Sequence, residues 1–267
     1  MKEITSINNR YIKLARSLRE RSVRNKKGFY LIEGIHLLEE ARISGIPLEA
    51  VFFSPKALKN SQGYQLAKDL DRAGYRCLMI TEELMEVIST AVTPPGVLAI
   101  APIPATDLNE LLKDNVSLIV VADGIQDPGN LGTIWRTALG AGAKGLVLTH
   151  GSVDPFNPKV VRSAMGATFK LPVVTDKKPK ELVEKLFSAG LKVVVADVGA
   201  SVPLWQVDLT EPLALVVGNE NKGPDPELTA AASGRVIIPM VGPLESLNVS
   251  VAAAILLYET VRQRQGT

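Results

Sequence analysis

Short apolar runs alternate with helical patterns along most of the chain, and the alternation is most regular in the C-terminal part. Nearly every position in these runs is apolar, which is typical of strands in a parallel sheet buried on both faces. The predicted strands are Leu118–Ala122, Leu146–Leu148, Leu171–Val174, Lys192–Ala196, Leu213–Val217 and Arg235–Ile238. Because helical patterns separate them, we predict an α/β fold with a mostly parallel sheet and helices on both faces.

Capping residues mark where several of the intervening helices begin. Asn130 is predicted to cap one helix and Asp225 a later one, since both side chains accept hydrogen bonds from the first helical turn. The final helix is predicted over 247–264, with Ser246 or Asn248 as its cap.

The first hundred residues show a shorter alternation, beginning with a basic amphipathic helix predicted over 8–21. The strands predicted after it are Phe29–Ile32, Ala50–Phe53, Arg76–Met79 and Val97–Ile100. Two prolines spaced by one residue in 101–106 disfavour both helix and central strand and predict an extended linker. We therefore predict a smaller N-terminal α/β domain at 1–105 and a second domain at 106–267.

Composition excludes several classes of protein. With 267 residues, 46% of them hydrophobic, the chain can bury a sizeable core. Its longest apolar runs have the length of a strand and not of a bilayer-spanning helix, and the N-terminus lacks a signal-like apolar core. Cys77 is the only cysteine, and His36 and His150 are isolated, so we expect no disulfide, no metal site and a cytoplasmic location.

Positive charge is concentrated at the start of the chain. The net charge of the whole chain is +2, but residues 1–30 contain nine Lys or Arg against Glu3 and Glu20. A basic N-terminal arm on a nearly neutral body is expected of a protein that grips a nucleic-acid backbone. A solvated helix face is the alternative explanation.

One familiar motif is rejected on its context. Gly140–Gly145 matches the dinucleotide fingerprint G-x-G-x-x-G, but it follows a predicted helix and precedes a strand. The fingerprint requires the reverse order, strand then turn then helix. The glycines are better explained as a helix end, and the chain is not predicted to bind NAD.

The candidate chemistry lies in three segments that follow or close predicted strands, where open α/β sheets bind ligands. The first is Asn130–Arg136. On a helix Arg136 lies about 9 Å along the axis from Asn130, and its side chain tilts back toward an anion at the first turn. A plain cap and a plain surface charge are the alternatives.

The other two segments combine glycine, proline and polar residues. Gly218 ends a buried strand and Glu220 follows it, where a carboxylate is suited to position a hydroxyl or cap a neighbouring loop; a structural turn is the alternative. In the third segment the apolar side chains Ile238, Met240 and Leu247, beside free backbone amides, have the properties needed to hold an adenine. A bare capped helix is the alternative there.

Together and in this order, the segments resemble the signature of the SPOUT class of methyltransferases, specifically the SpoU-type (TrmH-like) branch that methylates ribose 2′-hydroxyls in RNA. The matching elements are Asn-x-Gly-x-x-x-Arg at 130–136, Gly-Asn-Glu-x-x-Gly at 218–223, and Ile-Pro-Met followed by Ser-Leu-Asn-Val-Ser-Val within 238–251. The first hundred residues resemble, more weakly, the substrate-binding domain of the same branch.

The resemblance implies a C-terminal trefoil knot, S-adenosylmethionine as cofactor and a homodimer formed through the C-terminal domain. It also implies two sets of site residues. The expected cofactor-binding residues are Gly218, Asn219, Ile238, Met240 and Leu247. The expected catalytic residues are Asn130, Arg136, Glu220, Ser246 and Asn248.

We interpret Arg136 as an electrostatic clamp and not as a general base, because a guanidinium with a pKa above about 12 hardly releases its proton. The basic arm and the additional domain favour large-subunit ribosomal RNA as the substrate. The alternatives are methylation of transfer RNA, methylation of a base, and a non-catalytic RNA-binding role in ribosome assembly.

Overall fold

The computed structural model describes residues 1–113 and 116–266 of the chain, which divides into two compact units. The first unit is Met1–Pro104 with Phe156–Phe169, and the second is Ala105–Pro155 with Lys170–Thr267. The sequence predicts one domain over 106–267, whereas the structure groups 156–169 with the first unit. The reason is local packing, since the Phe156 ring lies 5.0 Å from that of Tyr30.

The first unit has an α/β fold built on a five-stranded sheet. Its strands are Lys2–Ile4 (β1), Phe29–Glu33 (β2), Ala50–Phe53 (β3), Cys77–Ile80 (β4) and Val97–Pro102 (β5). Its helices before residue 104 are Arg10–Ser17 (α1), Arg21–Lys27 (α2), Ile35–Ile43 (α3), Pro55–Lys59 (α4), Ser61–Arg72 (α5) and Glu82–Ile88 (α6). The strand order is β1-β4-β3-β5-β2, with β5 antiparallel to both of its neighbours.

Two predictions for the first unit are corrected. The basic helix predicted over 8–21 ends earlier, at Ser17 of α1, and a second helix that was not predicted, α2, begins at Arg21; Arg24 of α2 is buried. The Arg24 guanidinium donates to the carbonyls of Leu18 at 2.8 Å and Arg19 at 2.9 Å, so this residue does not belong to the exposed basic surface. The extended linker begins later than predicted, because β5 continues to Pro102, beyond the end of its pairing with β3.

The second unit is built on a six-stranded sheet in which every neighbouring pair is parallel. Its strands are Leu118–Ala122 (β6), Gly145–Thr149 (β7), Val173–Lys177 (β8), Lys192–Ala196 (β9), Leu213–Val217 (β10) and Gly234–Val236 (β11). The helices after residue 104 are Leu108–Leu111 (α7), Pro128–Gly140 (α8), Pro158–Ser163 (α9, in the first unit), Pro179–Ser188 (α10), Pro226–Ala231 (α11) and Val249–Gln265 (α12). None of the described helices is long and apolar enough to span a bilayer.

Both faces of this sheet are buried, as the uninterrupted apolar strands predict. One face packs Ile119, Val121 and Val193 against apolar residues of α7, α10 and α11. The alternate residues of the same strands, such as Val120, are equally buried on the other face, where α8 and α12 pack on each other and on the sheet. The strand order is β11-β9-β10-β6-β7-β8. The predicted α/β fold with a mostly parallel sheet is confirmed.

The register brings the carboxyl ends of the central strands level with one another. Val217 of β10 lies opposite Ala122 of β6, and Val216 lies opposite Val195 of β9. The loops that follow these three strands therefore leave the sheet side by side. Segments nearly one hundred residues apart in sequence meet at this edge.

Capping decides where the helices at this edge begin. Asp225 caps α11, as predicted, and of the two candidates for α12, Ser246 and Asn248, it is Asn248 that caps the helix. The prediction that Asn130 caps α8 is wrong, because Asp127 accepts the hydrogen bond from the Asn130 amide and Pro128 occupies the first helical position. Asn130 therefore lies inside the first turn, and its side chain is free for other contacts.

Trp135 anchors α8 to the body of the second unit, and we expect Trp135→Phe to lower the free energy of unfolding by about 2 kcal/mol. Trp135 is fully buried, and its Nε1 donates to the carbonyl of Leu171 at 3.0 Å. A phenylalanine at this position has no donor and would leave that carbonyl unpaired. Denaturant unfolding measures the change. Trp205→Phe is the matched control, since Trp205 is exposed, and an equal loss in both variants would contradict the proposed anchor.

Candidate active site

A cleft of about 570 Å³ lies at the carboxyl edge of the sheet in the second unit. The loops after β9, β10 and β11 and the first turn of α12 form its walls. Its volume lies within the range of about 300–1,000 Å³ usual for small-molecule sites. The structure brings all five predicted cofactor-binding residues into its lining: Gly218, Asn219, Ile238, Met240 and Leu247.

The wall formed by residues 238–247 offers unpaired backbone groups to a ligand. Among the described residues, none forms a backbone hydrogen bond with this segment, although it is bordered by the paired Ile237 and by the capped start of α12. Ile238, Met240 and Leu247 are half-buried. Residues 241–246 are exposed, but an amide without a partner at the half-buried positions carries an energetic cost, which a hydrogen bond to the edge of a planar polar ligand would remove.

The charge of the cleft selects among ligands. Asp197, Glu220 and Glu245 line it, and the described lining residues include no Lys or Arg. Asp197 is the one neutralised carboxylate, since Arg235 donates two hydrogen bonds to it. A cleft of this charge favours a ligand with a cationic centre and disfavours one with several phosphates.

Gly218 is required by a close approach of backbone to backbone. A Cβ at this position would lie 2.2 Å from the Pro224 nitrogen, a separation that no side chain tolerates. The approach is fixed by a tight turn in which Asn219 and Gly223 exchange two backbone hydrogen bonds. The Asn219 side chain then donates to the carbonyl of Gly124 at 2.7 Å, which joins this turn to the loop after β6.

A chain of side-chain hydrogen bonds runs along the mouth of the cleft. Asn130 Nδ2 donates to Glu220 Oε1 at 3.0 Å, and Asn130 Oδ1 accepts from Asn248 Nδ2 at 3.0 Å. Asn248 Oδ1 in turn accepts from the Ser250 amide as the cap of α12. Asn130 thus connects the first turn of α8 with the loop after β10 and the start of α12, and three of the predicted catalytic residues are in direct contact.

Glu220 is held as an ionised acceptor. Partial burial by itself raises its pKa, but hydrogen bonds from Asn130 and from the backbone amides of Gln126 and Asp127 outweigh that effect. The pKa of Glu220 is therefore below its ordinary value. At neutral pH this carboxylate accepts hydrogen bonds and holds no proton of its own to donate.

Asp123 supports the site and was not identified from the sequence. It is buried, and its two oxygens accept from the Thr149 hydroxyl at 2.6 Å and the Asp225 amide at 2.6 Å. Burial raises the pKa of Asp123, and these hydrogen bonds oppose the rise. A carboxylate directly after the buried strand Leu118–Ala122 was the available signal, but the sequence does not reveal its distant partners.

Two predicted catalytic residues differ from the rest. Ser246 lines the cleft, but within the described residues its side chain forms no hydrogen bond. Arg136 does not line the cleft, and its exposed side chain forms no ion pair with any described residue. It lies on the solvent face of α8 with Thr133 and Gly140, so one copy of the second unit does not bring it to the other site residues.

The fold and the cleft define an α/β domain with a small-molecule site at the carboxyl edge of a parallel sheet. Residues 117–258 match the family model described as the SpoU rRNA Methylase family, and residues 9–99 match the MRM3-like substrate binding domain. The chain belongs to the SpoU rRNA methylase family. The resemblance inferred from the three segments is confirmed.

Similar proteins match over nearly the whole chain. The 23S rRNA (guanosine(2553)-2′-O)-methyltransferase RlmP of Bacillus subtilis is 35% identical over 97% of this chain and 98% of its own length. The 23S rRNA (uridine(2479)-2′-O)-methyltransferase of Streptomyces viridochromogenes is 32% identical over 98% and 93% of the two chains. The crystal structure of an AdoMet-bound rRNA methyltransferase from Sinorhizobium meliloti is 30% identical, with a TM-score of 0.86, and covers 98% of this chain and 97% of that one.

Gly218→Ala is expected to weaken cofactor binding strongly, because the new Cβ would collide with the backbone of Gly223 and Pro224 and distort the turn that Asn219 and Gly223 form. We expect affinity for S-adenosylmethionine to fall at least about 100-fold, equivalent to about 2.7 kcal/mol. Isothermal titration calorimetry measures it. Gly234→Ala is the control, since a Cβ there meets nothing within 4 Å, and equal affinities of the two variants would count against the close approach.

Proposed function

We propose that this protein transfers a methyl group from S-adenosylmethionine to a ribose 2′-hydroxyl in large-subunit ribosomal RNA. The observation that carries the proposal is that hydrogen bonds join Glu220, Asn130 and Asn248 at the mouth of the cleft, in a member of this family. Relatives that match nearly the full length are named as 23S rRNA 2′-O-methyltransferases. A protein that only bound RNA would need neither the cleft nor these hydrogen-bonded side chains beside it.

The residues of the cleft fit S-adenosylmethionine. The apolar side chains of Ile238, Met240 and Leu247, with the unpaired amides of 238–247, suit the faces and edge of an adenine. The carboxylate-rich lining suits the positive charge of the sulfonium and amino groups. When bound, the cofactor supplies an electrophilic methyl group, and solved relatives contain it.

The protein's contribution is to position the ribose and to favour loss of its proton. Glu220 and Asn248 fix the amide of Asn130 from both sides, so that this side chain is preorganised at the cleft mouth. Ser246 adds a hydroxyl in the lining that is free to contact the ribose. The attacking hydroxyl is a weak acid, so a cation that stabilises the developing alkoxide accelerates the transfer, and a substrate phosphate or water accepts the proton.

Arg136 is our candidate for that cation, and we propose that it acts from the partner subunit of a homodimer. On α12, Val251, Ile255 and Tyr258 form an exposed apolar stripe at helical spacing, and α12 packs beside α8. Arg136 is exposed on α8 and lies outside the cleft of its own chain. Dimerisation through the apolar stripe would bury the stripe and would bring Arg136 to the cleft of the partner subunit.

The C-terminal trefoil knot belongs to the same proposal. What supports it is the family membership and the path of the chain around β9. After β10 the chain passes to β11 on the far side of β9, and it then returns to place α12 against β10 and α8. The cytoplasmic location and the RNA-binding role of the first unit likewise remain predictions, the latter supported by its match to a substrate binding domain.

The direct test is methyl transfer from labelled S-adenosylmethionine to unmodified 23S rRNA and, in parallel, to transfer RNA. We expect label in 23S rRNA, recovered as a 2′-O-methylnucleoside by mass spectrometry after nuclease digestion. Methylation of transfer RNA alone would redirect the substrate assignment. A methylated base, or no transfer by a protein that binds the cofactor, would overturn the proposed reaction.

Asn248→Asp tests the contribution of the Asn248 amide to catalysis separately from its contribution to stability as the cap of α12. The aspartate still caps α12 but lacks the amide that donates to Asn130, so we expect kcat to fall about 100-fold with little change in Tm. Asn248→Ala loses both functions and should also unfold more easily, by about 1 kcal/mol. Full activity in the aspartate variant would show that the Asn248 amide is dispensable.

Mixed dimers test where Arg136 acts. Arg136→Ala and Asn248→Asp homodimers are each expected to be nearly inactive. If the arginine acts in trans, a heterodimer of the two variants regains one intact site and about half of the wild-type activity per dimer. A heterodimer as inactive as its parents would contradict action from the partner subunit. Arg136→Lys, which keeps the charge, should retain a measurable fraction of activity.

A further inference from the structure

A second recess, of about 540 Å³, lies in the first unit at its β1 edge. It is formed by the edge strand β1, the start of α1, the end of α5 and the start of β4. Three cationic side chains, Lys2, Arg10 and Arg76, line it against one carboxylate, Asp71. The lining is therefore positively charged, the opposite of the cleft in the second unit.

Two guanidinium groups in this recess are held on one tyrosine, an arrangement called the Tyr11 cluster here. The Arg10 guanidinium carbon lies 4.5 Å from the centroid of the Tyr11 ring, and that of Arg76 lies 5.0 Å from it. Both guanidinium groups also donate to the Tyr11 hydroxyl oxygen. Tyr11 itself is buried and its ring packs into the core of the first unit, so the cluster has a rigid base.

This arrangement is costly without an anion. Like charges held close to one another repel, and Arg10 forms no ion pair with any described residue. Among the described residues, the only ion pair of Arg76 is an exposed one with Glu49 at 3.4 Å, and such surface pairs stabilise by at most about 1 kcal/mol. Attraction to the Tyr11 ring offsets part of the repulsion. An anionic ligand bound between the two guanidinium groups would offset the remainder.

The Tyr11 hydroxyl adds a directed donor. Both guanidinium groups donate to the phenolic oxygen, so neither contact uses the hydroxyl hydrogen. That hydrogen can therefore be donated to an oxygen of the ligand. Two guanidinium forks and one hydroxyl, all donors, match the oxygens of phosphate groups.

The surroundings of the recess indicate a polyanion and not a single small anion. Lys13 is exposed one helical turn after Arg10, and further along the chain Arg16, Arg21 and Lys26 are exposed as well. Burial of Arg24 removes one cation from this basic stretch but leaves the others in solvent. Exposed cations that follow a positively charged recess along the chain are expected of a surface that binds a nucleic-acid backbone.

We propose that the Tyr11 cluster clamps the phosphate backbone of the RNA substrate, with Arg10 and Arg76 neutralising two phosphates and the Tyr11 hydroxyl donating to one of them. The proposal rests on the proposed function, since the ligand is the same RNA. It assigns to the first unit a positioning site that determines RNA affinity and takes no part in the methyl-transfer chemistry.

The test compares the salt dependence of RNA binding by the full-length protein, with unmodified 23S rRNA as the probe. For Arg10→Gln combined with Arg76→Gln, we expect the slope of log K against log salt concentration to decrease in magnitude by about 1.5, as for loss of two phosphate contacts. The KM for RNA should rise, and the calorimetric affinity for S-adenosylmethionine should not change. Tyr11→Phe, which keeps the ring, should weaken RNA binding several-fold at all salt concentrations.

Lys56→Gln combined with Lys59→Gln is the matched control, because both lysines are exposed in the same unit and outside the recess. An equal change of slope in the two double variants would show that the loss of two positive charges anywhere on the unit explains the effect, and would overturn the clamp. An unchanged slope in the arginine variant would overturn it as well. If the arginine double variant shows the expected decrease of slope but the wild-type protein transfers no methyl group, the proposed function fails while the clamp stands.

Discussion

The side-chain amide of Asn130 holds the candidate site together, because among the described residues it is the one side chain that bonds to both of the other segments predicted to be catalytic. It donates to Glu220 and accepts from Asn248, residues 90 and 118 positions away along the chain. An amide suits this place since it has a donor and an acceptor on opposite sides of one rigid group. The geometry requires that α8 begin at Pro128, so that Asn130 lies within the first turn and Asp127 does the capping.

The rest of the second unit keeps these partners in register. Parallel pairing of β6, β9 and β10 aligns the strand ends, and Asp123 joins the loops after β6 and β10 through the Thr149 hydroxyl and the Asp225 amide. A buried carboxylate is tolerated there because both of its oxygens are hydrogen-bonded. Around this framework, the backbone of residues 238–247 forms no hydrogen bond with the backbone of any described residue, which leaves its amides for the proposed cofactor.

The two units carry opposite charge at their recesses, and this division fits the two ligands of the proposed reaction. Carboxylates line the cleft of the second unit, where a sulfonium donor is proposed to bind. Arginines and a lysine line the recess of the first unit, where an RNA backbone is proposed to bind. The small net charge of +2 conceals this separation, which appears only when the charges are assigned to surfaces.

Local patterns were sufficient to predict much of the fold. The bounds of β6, β9 and β10 agree with the apolar runs residue by residue, because strands buried on both faces need apolar side chains at nearly every position. Prediction failed where two local signals competed. Asn130 and Asp127 are both good caps, and the proline at 128 decided in favour of Asp127. The helix predicted over 8–21 ends at Ser17, and the buried Arg24 of the next helix donates to the carbonyls of Leu18 and Arg19 just after that end, a contact that periodicity does not contain.

For the site, the sequence by itself determined the chemical groups and the class of protein, since the three segments matched one family signature. Only the tertiary structure decided which of those groups touch. It joined Asn130, Glu220 and Asn248, added the buried Asp123, and left Arg136 outside the cleft of its own chain. The physical reason is that strand order and register, which bring distant loops together, depend on packing between elements and are not encoded in any single segment.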